Sequence, residues 1–415
     1  MQHSKQMNLM SMFHAICDFG SRLSGSKSEA DALDYVEGYF SNLPCGEVVT
    51  HRVSYPGWSS SDCWIEIDNK RFDAFALPRS GSFSNHSARV QVVDAGRGTP
   101  EELNALRASI AGKAVVVTHE FMFAPDHVHR MKKYECAQAL GATAFIIANP
   151  DAATGRVSGS VHGTVPGFGV SAFTGDALRS AAQSGKHVQF HMKSAHTPAS
   201  TRTIDWSIKG TDPEFSTEEI IVCAHLDGHE SSENAMDNAS GVAVIMALAK
   251  ELCTVANFPH TVRILIFSAE EFGLCGSKAY VDKLSLEKRA AIRAVFNLDC
   301  VGGSTRFGAM TSAFAELKEE AERCAAQSEI PVCVHEPLLK NSDHYNFAVA
   351  GIPAMRLIAG FGDADSRLRH VLTEADMRAQ VAQEDLVAAL KLTHALIQSM
   401  SLRQTGKHKA SQEAS

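Results

Sequence analysis

Beyond residue 203 the chain alternates short β-forming runs with helical segments, and this alternation narrows its possible folds more than any other feature. Strands are expected at 220–225, 262–268, 294–299, 332–335 and 354–358. Helices are expected at 242–252, 274–284, 313–327, 345–349 and 383–400. Strand followed by helix, repeated, predicts an α/β fold with a mostly parallel open sheet flanked by helices on both faces. Sheets of this kind place their ligands beyond the carboxyl ends of the strands. The chemistry is therefore sought where each run ends.

The chain before residue 204 has a different texture. Two helical patterns run through residues 9–43 and are separated by the turn-rich Arg22-Leu-Ser-Gly-Ser26. They are read as part of the same domain, residues 1–55. Residues 56–195 form a β-rich insert with strands near 64–67, 90–96, 113–119, 144–149 and 188–192, and they show no acid–histidine constellation. A polar stretch at 194–203 reads as a linker, the core as 196–400, and 401–415 as a disordered tail. With 415 residues, 45% hydrophobic and 21% charged, the chain can bury a large core. A net charge of −8 gives no basic footprint for nucleic acid. No apolar run reaches the ~18–20 residues of a membrane span. Ten scattered cysteines without a C-x-x-C pair, and an N-terminus without a signal pattern, predict a reduced cytoplasmic protein. Oligomeric state is not readable.

Four strand–helix loops carry acids and imidazoles. The first run ends in His225-Leu-Asp227, with Asp237-Asn238 ahead of the next helix; His229 and Glu230 read as ordinary loop residues. The second ends in Glu270-Glu271, held between Phe267 and Phe272 and so not freely solvated. The third ends in Asp299, and His370 lies in a late polar loop. Two imidazoles and three carboxylates (His225, Asp237, Glu271, Asp299, His370) are nitrogen and oxygen donors without cysteine, which suits catalytic zinc. Five donors exceed one open zinc site and suit two metals sharing a carboxylate, ~3.5–4 Å apart. Asp227 is placed to accept the second N–H of His225, and Glu270 to act as a general base. If His370 does not serve as a ligand, His344 in Ser342-Asp-His344 is the next candidate.

These pieces, with Asp237-Asn-Ala-Ser-Gly241, Glu270-Glu-Phe-Gly-Leu-Cys-Gly-Ser277 and Asn297-Leu-Asp299, resemble the co-catalytic double-zinc aminopeptidases. That superfamily also holds glutamate carboxypeptidase II and glutaminyl cyclases. The resemblance covers residues 200–400 and the Arg22–Ser26 opening. It implies a zinc-peptidase core with two zinc ions: one on His225 and Asp299, the other on Glu271 and His370, with Asp237 between them. Glu270 would take a proton from the attacking water and pass it to the leaving amine, with peptides as substrates. Residues 56–195 resemble an inserted protease-associated domain. The family's late motif carries threonine after both its histidine and its aspartate; Val371 and Met377 stand there in this chain. Alternatives within reach of the resemblance are a dipeptidase or carboxypeptidase, a one-zinc glutaminyl-cyclase-type acyltransferase, and a non-catalytic receptor-like protein that has lost its ligands.

Overall fold

The computed structural model describes residues 2–402 apart from 125, 256, 257 and 364. The expected open sheet is present. Strands Glu219–His225, Thr261–Phe267, Ile292–Leu298 and Ala354–Ala359 form its parallel centre, with Glu219–His225 between Ile292–Leu298 and Thr261–Phe267. Phe307–Met310, a strand the sequence reading did not include, runs antiparallel to Ala354–Ala359 and carries Val332–His335 at the far edge.

Period-two alternation explains why the centre is buried on both faces. Ile220, Val222, Ala224, Ile264 and Ile266 point into one core, beneath the helices Gln2–Cys17, Lys27–Ser41, Ser240–Leu252 and Gln383–Leu402. Ile221, Cys223, Leu265 and Phe267 point into the other, against Val281 and Phe347 of helices Cys275–Asp282 and His344–Val349. No helix among the described residues is long and apolar enough to cross a membrane.

The stretch read as a linker is a strand. Residues 194–203 lie inside His187–Ile208, which pairs along most of its length with Glu47–Ile67 as an antiparallel ribbon. The ribbon's C-terminal end joins the core sheet at Thr261–Phe267, and its N-terminal end joins Ser87–Asp94 of the insert. Both strands cross the expected boundaries at 55/56 and 195/196. Residues 194–202 are polar or small and mostly exposed, so this part of the strand lacks the apolar alternation that identifies one. Within the insert, Ser87–Asp94, Ala114–Thr118, Ala144–Ala148 and Gly167–Val170 pair parallel around a separate core that includes Val116, Ile146 and Phe168.

Two further readings change. A disulfide joins Cys45 to Cys253, so the expected fully reduced chain is corrected, and the cysteines no longer argue for the cytoplasm. Of the disordered tail expected at 401–415, residues 401 and 402 continue the helix Gln383–Leu402, and residues 403–415 lie outside the described residues.

Candidate metal centre

The site lies at the carboxyl ends of three neighbouring strands, where the sheet order predicts it. His225 is the last residue of Glu219–His225 and is buried. Its Nδ1 donates to the main-chain oxygen of Asp227 at 3.0 Å. That leaves Nε2 directed at Asp237 Oδ1, 3.1 Å away, and Asp299 Oδ1, 3.5 Å away. Asp299 follows the strand Ile292–Leu298, and its other oxygen meets Arg356 Nη2 at 3.0 Å. Asp237 precedes the helix Ser240–Leu252 across a cis Asp237–Asn238 peptide. The Asn238 amide donates to Leu298 O, and its oxygen accepts from the main-chain N–H groups of Gly241 and Cys300. Asp376 accepts from the main chain of Met236 and Asp237 at 2.7 and 3.2 Å. The loop that presents Asp237 is thus fixed from both sides.

Asp227 acts differently from the sequence expectation. Its main-chain oxygen, not its carboxylate, takes the His225 N–H; the carboxylate oxygen is 3.7 Å away. The carboxylate instead accepts from the main-chain N–H of Glu270 at 3.2 Å, from that of Glu271 at 3.1 Å and from Ser24 Oγ at 2.7 Å. One buried acid therefore couples the His225 strand end to the acidic pair. The Arg22–Ser26 turn now has a physical role. Arg22, fully buried, donates to the carbonyls of Leu226, Gly20, Glu233 and Asn234, clamping the loop between His225 and Asp237.

The electrostatics show which charge the cluster favours. Burial pushes the His225 imidazole down, but the Glu270 charge and the bonds to Asp227, Asp237 and Asp299 outweigh it and raise the pKa well above its ordinary value. Burial and the neighbouring charges of Asp299 and Glu271 raise Asp237. Burial would raise Asp299 too, but Arg356 and His225 hold it below the usual carboxylate range. Carboxylates in excess of cations draw protons onto the site, and a metal supplies the same positive charge. The donor geometry agrees. His225, Asp237 and Asp299 offer ligand atoms all within 4.8 Å of one another. Tetrahedral zinc with bonds of ~2.0–2.2 Å sets its ligand atoms roughly 3.3–3.6 Å apart. The residues fit the metal.

Two predicted ligands need separate treatment. Glu271 lies within electrostatic range of Asp237, and its Oε2 is 2.7 Å from Nε2 of His229, a buried residue that the sequence reading set aside. His370 is not brought to the cluster, and this call is corrected. It ends a short 3₁₀ turn, Arg367–His370, where its ring meets Arg369 Nε at 3.4 Å; the charges around it are those of Arg369, Asp151 and Arg367. His344 is also buried, and the charges acting on it are those of Arg356 and Asp299.

The insert, read as an accessory unit, reaches the site. Ser160 Oγ donates to the Glu271 carbonyl at 2.5 Å, and Ser158 Oγ lies 3.3 Å from His229 Nδ1. Arg130 opens the insert's helix Arg130–Ala139, donates Nε to Ser160 O at 2.9 Å, and feels the charges of Glu271, Asp237 and Glu270. Gly159 makes room for it: a Cβ there would come within 2.4 Å of the guanidinium. No local pattern marks these residues, because each acts across a large sequence separation.

Nearby, burial pushes His119 down to about 3, with the charges of Arg130 and Lys133 adding to the effect. The unfolded chain, near ~6.5, then binds the proton first. His119's contribution is complete above that pH and is lost as pH falls towards 3, by up to about 1.4 kcal/mol per unit. Urea unfolding of His119→Gln is expected to show a shallower loss of stability between pH 6.5 and 4 than the parent; parallel profiles would remove His119 as a contributor.

Residues 205–395 match Peptidase family M28, and residues 80–178 match the PA domain. Aminopeptidase YwaD of Bacillus subtilis is 29% identical over 275 residues, covering 64% of this chain and 59% of that protein. The chain thus spans less than two thirds of that relative's length. A probable leucine aminopeptidase 2 of Aspergillus fumigatus is 26% identical over 82% of this chain and 68% of its own. A solved zinc aminopeptidase from Bacillus subtilis superposes with a TM-score of 0.78 at 22% identity, covering 95% of this chain and 94% of that one. A Peptidase M28 precursor from Shewanella amazonensis gives the same score at 18% identity over 97% and 93%. At these identities the two structures speak for the fold. Strand-end donors, fold and family matches agree: residues 205–395 of the chain belong to Peptidase family M28, and residues 80–178 are a PA domain.

Proposed function

We propose that the chain is a two-zinc aminopeptidase that releases the N-terminal residue of a peptide. The observation that carries this is the His225–Asp237–Asp299 donor cluster, with Glu270 fixed beside it through Asp227. Bound zinc would supply Lewis acidity, polarising the scissile carbonyl and making water more acidic. The remaining work falls to the chain's own groups. Glu270 accepts a proton from the attacking water as oxygen bonds to the carbonyl carbon, then delivers it to the amine as the C–N bond breaks. Burial pushes the Glu270 carboxyl well above its ordinary range, His225 pulls it back, and Glu271, Asp343 and Asp299 add to the rise. A metal cation opposes that rise and favours the carboxylate form that a base requires. The surplus of carboxylates suits the free α-ammonium of a peptide.

Arg130 favours a second reading, a dipeptidase, because a guanidinium over the site could receive a substrate carboxylate bidentately. One set of assays tests both. Chelator-sensitive cleavage of Leu-Gly-amide and of aminoacyl-nitroanilides, with no cleavage of their N-acetyl forms, supports the aminopeptidase. Strong preference for Leu-Gly over its amide supports the dipeptidase. Absence of chelator-sensitive hydrolysis of any of these rejects both.

A further inference from the structure

We infer that His229, in place of His370, supplies the imidazole ligand of the second metal position, paired with Glu271. This rests on the two-metal reading proposed above.

The residues around Glu271 leave His229 as the histidine in position. Its Nε2 is 2.7 Å from Glu271 Oε2, and both belong to loops at the carboxyl edge of adjacent strands. The ring is fully buried. Ser158 Oγ, from the insert, occupies Nδ1, so Nε2 is the nitrogen left for the site. A metal-binding imidazole commonly has its other nitrogen held by such a partner. The backbone is fixed as well: His229 N donates to Asn234 Oδ1 at 2.9 Å, and Asn234 Nδ2 returns to His229 O at 2.8 Å. A hydrogen-bonded His–carboxylate pair at 2.7 Å needs to open by about 0.6–0.9 Å to admit zinc with bonds of ~2.0–2.2 Å.

The late loop explains why His370 is absent. Next to Ser158 stands Leu372, whose carbonyl accepts the Ser158 N–H at 2.7 Å. Leu372 has a left-handed φ of 63° and stands immediately before Thr373, as the family's histidine stands before its threonine. An apolar side chain thus stands where the family's motif has its histidine, and the loop that holds His229 brings an imidazole to Glu271 instead. Together His225, Asp237, Asp299, Glu271 and His229 keep the two-imidazole, three-carboxylate set.

The test is metal content of the full chain after zinc loading and gel filtration, for the parent, His229→Ala, His229→Asn and His370→Ala, with circular dichroism as a folding control. The expected result is about two equivalents for the parent and for His370→Ala and about one for both His229 variants. Cobalt substitution gives a second readout: the visible bands of one site disappear in the His229 variants and persist in His370→Ala. Two tightly held equivalents in His229→Asn, or one in His370→Ala, overturns the inference while leaving the two-metal reading intact. A parent that binds fewer than two metals overturns both. If His229→Ala fails to fold, His229→Asn, which retains a polar group towards Glu271, decides the question.

Discussion

Replacing Glu270 by glutamine is expected to lower kcat by about 10²–10⁴-fold, the range for removing a general base, with KM and metal content nearly unchanged. The amide has the size of the carboxyl but cannot accept and return a proton. Glu270 is held through its main-chain N–H by Asp227, which does not involve its side chain, so the loop survives the change. Its carboxyl lies outside the His225–Asp237–Asp299 donor group. Loss of turnover with metal retained therefore separates a base from a ligand. Single-turnover kinetics on an aminoacyl-nitroanilide check it. A variant keeping more than about a tenth of parental kcat would place the base elsewhere.

Much of this site was legible before the fold was known, for a definable reason. His225, Asp299 and the Glu270-Glu271 pair terminate apolar runs, and a polar group at the end of a buried strand lies at the sheet's carboxyl edge whatever surrounds it. Asp237 was legible because it precedes the long apolar helix Ser240–Leu252. The failures share a different cause. His370 follows the last core strand by eleven residues, and the 3₁₀ turn and the left-handed Leu372 set the path of that loop. No periodicity reports that. His229 was set aside as a loop residue because its defining partners, Glu271 and Ser158, are 42 and 71 residues away. Arg130 and Ser160 belong to another domain altogether. Residues 194–203 of His187–Ile208 read as a linker because they are polar or small and mostly exposed, which erases the alternation that marks a strand. Cys45 and Cys253 are 208 residues apart, and their pairing is a property of the fold, not of cysteine spacing.

Asp237 is the second residue whose loss is expected to be severe. Its Oδ1 faces His225 Nε2 at 3.1 Å, and its carboxyl is raised by burial and by the charges of Asp299 and Glu271. In the proposed two-metal centre Asp299 would belong to one metal and Glu271 to the other, with Asp237 serving both, so its removal would take a ligand and a charge from each. The main-chain contacts from Asp376 and the Asn238 network hold the loop without the Asp237 side chain, so Asp237→Ala should fold. Activity should fall at least as far as in Glu270→Gln.

Zinc equivalents per chain in the parent and in Asp237→Ala, measured side by side on folded, gel-filtered protein, test the shared-carboxylate centre most directly. The expected result is about two equivalents falling to well below one. One tightly held equivalent in the variant, with cobalt spectra matching one parental site, would contradict a centre in which Asp237 serves both metals.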